Sequence, residues 1–560
     1  MDLITLDFET YYSKEFSLGK LTTEEYIRDP RFEVIGVSVK LNNQGTEWAS
    51  GTREELTTYL KTFPWDNSLV VAHNTMFDGA ILSWIFDIHP KVYGDTLCMA
   101  RAYHGVESSG SLKALAERHK IGEKGTEVID ALGKKRLDFN EEELERYGDY
   151  CINDVDLTYK LFNIMGKGFP KKEFKLIDAT LRMFVEPILE LAQDMLEQHL
   201  TETRASKDEL LTASGVSKEE LMSNPKFAEV LKSLGVEPPM KISLTTGKEA
   251  FAFAKSDEGF KALESHPDEK VQALVMARLG TKSTLEETRT QRFIDIAKRG
   301  LLPVPVKYYA RVLAWLAEQD DLTKAFTDGE DVYVKMASRI YDKAEEDVTK
   351  DERFVGKTTI LGAGYGMGAL KFQSQLKTFG SDMPIDEARR VISIYREANW
   401  KINNLWRDAQ QILVSLSNKE LPMRLGRGKV LVTVPEKNAI RLPSGLLMRY
   451  EDLDYEQGEK GIEFSYQTRR GRTRIYGGKV VENVCQAIAR CIIGEQMLEI
   501  NKKHRAVLTV HDSIVCCVKD EEVTDAQKYI EECMRWTPEW ADGLPINCES
   551  GTGKTYGDCE

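Results

Sequence analysis

The first apolar run of the chain, LITLDFET, ends with Asp7 and Glu9 separated by a single residue. Residues i and i+2 of a strand project to the same side, so on a strand both carboxylates face one point. Two anions held that close repel, and a divalent cation is the usual remedy. The fold must therefore bring compensating charge to the end of the first strand. Two later stretches carry acids at spacings that suit the same place. Residues 69–82, LVVAHNTMFDGAIL, read as a buried strand and a helix, with Asn74 and Asp78 four apart and expected on one helix face. Residues 147–162, YGDYCINDVDLTYKLF, read as a helix with Tyr150 and Asp154 on one face. Between the acids, residues 31–40 and 46–48 suggest a strand meander.

Four acids gathered from a strand and two helices, with a tyrosine one turn from the last, suit two-metal hydrolysis of a phosphodiester, in which the ions activate a water and stabilise the leaving oxygen. The constellation resembles the DEDD exonucleases of the tyrosine subclass, whose motifs D-x-E, N-x3-D and Y-x3-D all occur here in order. That resemblance implies a ribonuclease H-like domain over residues 1–165. It makes Asp7, Glu9, Asp78 and Asp154 ligands of Mg²⁺ or Mn²⁺, with Tyr150 orienting the water. Asp95 and Asp149 are read as structural.

Residues 353–367, RFVGKTTILGAGYGM, combine charge and glycine as no ordinary packing helix does. Arg353, Lys357, Leu361 and Tyr365 recur every four residues, and at about 3.6 residues per turn they form one drifting stripe, cationic first and aromatic last. Each surrounding glycine costs about 0.8–1 kcal/mol of helix propensity, which a local advantage must offset. Two advantages fit: close approach of a triphosphate to the cations, or close packing of a neighbouring backbone. The pattern R-x3-K-x7-YG resembles the nucleotide-binding fingers helix of family A DNA polymerases. By that resemblance Arg353 and Lys357 hold an incoming deoxynucleotide triphosphate, Tyr365 faces the templating base, and Leu361 stands where many relatives carry Phe or Tyr.

The resemblance extends to the neighbours. It implies an α/β multidomain chain in which the exonuclease domain precedes a polymerase right hand: a helical thumb over residues 166–300, then an antiparallel palm and helical fingers over 301–560. Charged-faced helices between residues 171 and 298 fit the thumb, with Arg278, Lys282, Ser283 and Thr284 where a phosphate-contacting loop belongs. LTVHDSIVCCV reads as a hairpin with His511, Asp512 and Ser513 at its tip, resembling the palm H-D-x motif whose Asp binds catalytic metals. DNA contacts are implied for Asn74, Arg278, Lys282, Gln486 and His511. The implied partners are primer-template and single-stranded DNA, deoxynucleotide triphosphates and a processivity factor.

One departure stands out. The family palm carries a second Asp on a strand reading roughly D-x-S-x-I-E-x-R-V-L-A. Here ARVLAW at residues 310–315 keeps the end of that motif, but Val304 occupies the position of the acid. The preceding KYYA resembles the start of an earlier family segment, so a few dozen residues are missing between the two. The resemblance thus implies a family A DNA polymerase of phage-type replication with a 3′–5′ proofreading exonuclease, its palm incomplete, and the expectation is that the chain as written extends no primer. The alternatives are an exonuclease whose polymerase half only holds DNA, and a non-catalytic DNA-binding protein.

A net charge of −14 argues against a polyanion partner overall, yet cations cluster at Arg469, Arg470, Arg472, Arg474 and Lys479, and again at Arg424, Arg427 and Lys429. Nine cysteines, an odd number without a C-x-x-C pair, argue against a disulfide framework and a structural zinc site, and imply reduced, mostly buried thiols. No apolar run approaches the ~20 residues that span a bilayer, and the start MDLITLDFET lacks a basic signal region, so the expectation is a cytoplasmic protein, in a bacterial host if phage-encoded.

Overall fold

The computed structural model describes residues 1–125, 130–242, 247–255, 257–304, 313–378, 381–458 and 461–559. Residues 305–312, where the sequence departs from the palm motif, lie outside that description. Strand β1 (Asp2–Thr10) alternates as its sequence demands, burying Ile4, Leu6 and Phe8 in one core while Asp7 and Glu9 project to the opposite face. It pairs antiparallel with β2 (Val34–Leu41), and β2 with β3 (Thr46–Ala49), which is the expected meander. On its other side β1 pairs parallel with β4 (Ser68–Ala72), and β4 with β5 (Val92–Asp95), giving the order β3-β2-β1-β4-β5.

Helix Thr75–Phe86 covers the apolar face of this sheet. Helix Glu141–Met165 covers the acidic face, opened by a capping box between Asn140 and Glu143 and by three glutamates that complement the helix dipole. Its seating depends on Trp48 of β3. A Cβ on Gly36 of β2 would lie 2.3 Å from the indole, and one on Gly148 of the helix 2.6 Å from it. Only glycine at both positions lets the ring fit between strand and helix. Tyr147 then meets the edge of Trp48 at 6.5 Å and stacks between Phe139 and Tyr150.

Helix Lys171–Val185 corrects the expected division of the chain. The sequence groups it with the later helices, but Leu181, Phe184 and Val185 are buried in the core of the first sheet. The helix ends at Val185, two residues before Pro187, so the apolar pattern that continues toward residue 200 belongs to a separate helix. The chain divides into two compact units, one of residues 189–302 with 374–382, the other of the remaining chain. The smaller unit is mostly helical, with helices Gln193–Ser214, Glu269–Lys282 and Leu285–Arg299, a short antiparallel pair of strands at Met240–Ile242 and Glu249–Phe251, and a core including Phe227, Phe260, Val271 and Leu274.

In the larger unit, helices Val332–Tyr341 and Lys350–Ala363 pack so tightly that a Cβ on Gly356 would meet the Tyr333 carbonyl oxygen at 2.3 Å. Of the two explanations for glycine in this stretch, close packing of a neighbouring backbone accounts for Gly356. Helices Trp400–Ser417 and Gly477–Ile500 share a core built on Leu413, Leu416, Val484 and Ile488. The strands here are antiparallel: a four-stranded sheet within residues 424–449, a three-stranded one within 454–475, and the hairpin Ala506–Val510 with Ser513–Cys516. Among the described residues this hairpin pairs with no third strand. No described helix is long and apolar enough to cross a membrane. All nine cysteines are free, but only Cys151, Cys485, Cys491 and Cys533 are buried, fewer than composition suggested.

The packing at Gly356 yields a test. Gly356→Ala should lower stability by about 1–3 kcal/mol, read as a reduced urea midpoint. Gly368→Ala, where an added Cβ meets nothing within 4 Å, should leave the midpoint unchanged.

Candidate active site

The end of β1 and the 141–165 helix enclose a pocket of acids. Tyr147 donates its hydroxyl to Glu9 Oε2 at 2.5 Å, and the Cys151 thiol donates to the Asp7 carbonyl at 3.3 Å. A β-bulge between Glu9 and Thr10 shifts the register there, a common device where a strand must aim a side chain. Asp78, on the first turn of the 75–86 helix, accepts the Phe8 N–H at 3.1 Å and so ties that helix to β1. Asp154, only 4% exposed, pairs with Lys124, whose ammonium also lies 4.9 Å from the Tyr150 ring centre. The four acids and Tyr150 singled out in the sequence thus come together. The ligating atoms of Asp7, Glu9 and Cys151 lie within 4.8 Å of one another.

This proximity is electrostatically unfavourable. Burial, then the Asp154 charge, pushes the Asp7 carboxyl up to about 7, against opposition from Lys124 and the Cys151 thiol. Burial and the Asp7 charge raise Glu9 and Asp78 well above the usual carboxylate range, although hydrogen bonds from Tyr147 and the Phe8 amide oppose the rise. Burial and the Asp154 carboxylate move the Tyr150 phenol upward, so it stays protonated. A buried oxygen-donor cluster short of positive charge fits a hard divalent cation such as Mg²⁺ or Mn²⁺, and Asp7, Glu9, Asp78 and Asp154 are the residues that would hold it.

Asn74 is not on the helix with Asp78, as its spacing suggested. It precedes the helix as the N-cap residue, with a left-handed backbone at φ 80° that asparagine tolerates, and its N–H donates to Asp95 Oδ1 at 3.1 Å. Asp95 also accepts from Leu97 N and the Cys98 thiol, which gives it a structural role. Sequence reasoning missed three residues of the pocket. Tyr147 and Cys151 continue the 3–4 spacing of Tyr150 and Asp154 along the helix and were findable. Lys124, in the segment IGEKG, carries no pattern.

The stripe of residues 353–365 is only partly a helical stripe. The helix ends at Ala363, so Tyr365 lies past its end in a turn closed by Gly366 at φ 81°. Arg353, Lys357 and Leu361 remain on the helix, with Leu361 52% exposed. Arg353 Nε donates to Asp331 Oδ2 at 2.7 Å, and the Arg353 and Lys357 charges lie 5.4 and 6.0 Å from the Tyr333 ring centre. Beyond the turn, an open groove of about 450 Å³ is lined by Gly366, Arg396, Trp406, Arg407 and Tyr476, among others. Its cations and aromatic rings suit a nucleic-acid strand.

His511 and Asp512 form the two-residue tip of the 506–516 hairpin, His511 with the positive φ of 55° that such turns demand. Both are exposed, and no group of three ligating side chains among the described residues includes Asp512. Gln486 is half-buried on the 477–500 helix. Arg278 contradicts its expected place on a phosphate-contacting surface. It is 1% exposed, its guanidinium 4.2 and 4.8 Å from the Phe227 and Phe253 ring centres and bonded to the Leu221 carbonyl and Asn224 Oδ1. Lys282, Ser283 and Thr284 are exposed at the break between two helices, with Lys282 Nζ 3.2 Å from Asn224 Oδ1. Much of the 469–479 cation cluster is engaged internally: Arg469 on Ser108, Arg472 on Asp452, Arg474 on Glu463 and Lys479 on Glu482.

Sheet, acid pocket and polymerase-like helices together define a two-part protein, an exonuclease-type domain followed by a polymerase-type region. Residues 25–169 match the family model of 3′–5′ exonucleases, and residues 309–439 match that of DNA polymerase family A. Its homologues include phage and bacterial DNA polymerases. Over 252 residues the chain is 28% identical to the DNA polymerase of Bacillus phage SP02, covering 43% of this chain and 38% of that protein. Over 550 residues it is 21% identical to DNA polymerase I of Borreliella burgdorferi, covering 88% of this chain and 56% of that one. The chain therefore spans about half the length, or less, of these relatives. Among solved structures, the POL domain of Pol1 from M. smegmatis, in complex with DNA primer-template and dNTP, aligns with a TM-score of 0.61 at 15% identity, covering 97% of this chain and 93% of that one. At that identity the likeness is one of fold.

The burial of Arg278 makes a prediction opposite to that of a surface cation. Arg278→Met should destabilise the helical unit by about 2–3 kcal/mol, because it strands the Leu221 carbonyl and Asn224. Limited proteolysis within residues 189–302 should accelerate, whereas Lys282→Ala should leave the proteolysis rate unchanged.

Proposed function

We propose that this chain is a family A DNA polymerase with a 3′–5′ proofreading exonuclease, of the kind that serves phage DNA replication in the cytoplasm of a bacterial host, in which the exonuclease works and the polymerase site does not. The observation that carries the reading is the convergence of Asp7, Glu9, Asp78, Asp154 and the protonated Tyr150 in one buried, anion-rich pocket. Divalent ions bound there would supply Lewis-acid activation of water and stabilisation of the leaving oxygen. The chain's own residues do the rest: Tyr150 orients the attacking water with its hydroxyl, Tyr147 fixes Glu9, and Asn74 contacts the DNA strand that enters beside Asp78.

In the polymerase half, Arg353 and Lys357 offer charge to a triphosphate, with Tyr365 and the groove beyond it beside the templating base. Asp512 is the one acid that the family motif assigns here, with Val304 standing where the second would be, and a half that binds primer-template without extending it is the reading this supports. His511, Gln486 and Lys282 are its proposed DNA contacts, and a processivity factor is a proposed partner.

With Mg²⁺, 5′-labelled single-stranded DNA should shorten from its 3′ end. Asp7→Ala/Glu9→Ala or Asp154→Ala should slow this at least about a hundredfold. Digestion by the double variant at the parental rate would sink the assignment. Tyr150→Phe should be milder.

Synthesis is tested separately in the Asp7→Ala/Asp154→Ala chain, where degradation cannot mask it. Given primer-template and all four deoxynucleotides, that chain should extend nothing. Insertion of the family's missing palm segment between Ala310 and Arg311 should restore extension, and adding Asp512→Ala should abolish it again. Extension without the insertion would show that another acid completes the site.

A further inference from the structure

Lys124 is held against the acid pocket by a purpose-built stretch of chain. Helix Leu112–His119 ends at Lys120, which takes a left-handed backbone at φ 54°, and the Ile121 N–H returns to the Ala116 carbonyl at 3.1 Å. Gly122 follows at φ 147°, and a Cβ there would lie 2.9 Å from Leu157 of the 141–165 helix. Glycine thus lets the chain lie flat on that helix. Two side chains of the same helix then pin the backbone: Asn153 Nδ2 donates to the Glu123 carbonyl at 2.9 Å, and Lys160 Nζ to the Ile121 carbonyl at 3.2 Å. The next side chain is Lys124, which pairs with Asp154 Oδ2 and faces the Tyr150 ring while remaining only 25% exposed. A surface ion pair held by two flexible side chains contributes little. This one is different, because one partner is buried and the backbone delivering the other is anchored at three points.

We propose that Lys124 is a positioning residue of the exonuclease site, a tethered counter-cation that holds Asp154 while no ion is bound and competes with the divalent ion for that carboxylate when it loads. The inference rests on the exonuclease reading for the identity of the site. Four acids crowd this pocket, and the positive charge of Lys124 relieves part of their repulsion. A loading ion must take Asp154 from the ammonium, so the lysine sets the ion concentration at which the site fills and leaves an unattached cation beside it once filled. Removing the charge should therefore strengthen ion binding and weaken the ion-free fold, a pair of effects that an ordinary structural lysine would not produce.

The experiment titrates the full chain with Mn²⁺, without DNA, by electron paramagnetic resonance, and measures melting temperature with and without the ion. Lys124→Met should bind Mn²⁺ about tenfold tighter than the parent, a change of about 1.4 kcal/mol. Its melting temperature should fall in the absence of ion and match the parent at saturating Mn²⁺, which separates the effect from misfolding. Lys124→Arg, which keeps the charge, should stay near the parent in both. Unchanged or weaker Mn²⁺ binding in Lys124→Met, or a parent that binds no Mn²⁺, overturns the inference. Digestion of a 3′ end is followed alongside. If the parent digests nothing while its Mn²⁺ affinity still rises on Lys124→Met, the exonuclease reading fails and the competition for Asp154 stands.

Discussion

The seating of one indole ring governs the acidic face of the first domain. Trp48 fits only because Gly36 and Gly148 withdraw from it on either side, and that fit sets how near the 141–165 helix comes to β1. Every polar contact across the gap, from Tyr147 to Glu9 and from Cys151 to Asp7, depends on that spacing. Hydrophobic burial pulls the helix down, while repulsion among the acids pushes it away. The balance leaves a pocket in which burial and mutual repulsion hold the carboxyls above their ordinary range. The structure thus puts packing energy into a site that is itself unfavourable, as functional sites commonly do.

Much of this was legible in the sequence, for identifiable reasons. Strand periodicity placed Asp7 and Glu9 on one side, and helical periodicity placed Tyr150 and Asp154 together, because both patterns are local and robust. The meander and the hairpin were legible as apolar runs, although Ser513, expected at the hairpin tip, pairs with Val510 in the strand. What failed was non-local. Asn74 looked helical by spacing, but the chain turns left-handed there to enter the helix. Arg278 looked like a surface cation, yet two phenylalanines from elsewhere in its unit enclose it, and no local pattern signals such a cage. The stripe toward Tyr365 overran its helix, which ends at Ala363 before a turn that takes a positive φ at Gly366. Lys124 was invisible because its position comes from the helix it lies on and not from its own neighbours.

The two halves of the chain also differ in how they surround their acids. In the first, Asp7, Glu9, Asp78 and Asp154 gather in one pocket, with Asn74 just outside the helix that carries Asp78. The hairpin bearing Asp512 stands, among the described residues, as two strands without a third, and its acid is open to solvent. A polymerase-type fold does not by itself carry the chemistry, which depends on the particular carboxylates a site supplies.

The bond between Arg353 and Asp331 carries a consequence of its own. Asp331 caps the 332–341 helix through the Tyr333 and Val334 amides while it also binds Arg353. Asp331 thereby joins two elements, since the carboxylate that caps one helix also holds Nε of an arginine on the next. Neutralising Asp331 would loosen the start of the 332–341 helix and release the Arg353 side chain at once, so the two elements are coupled through one carboxylate.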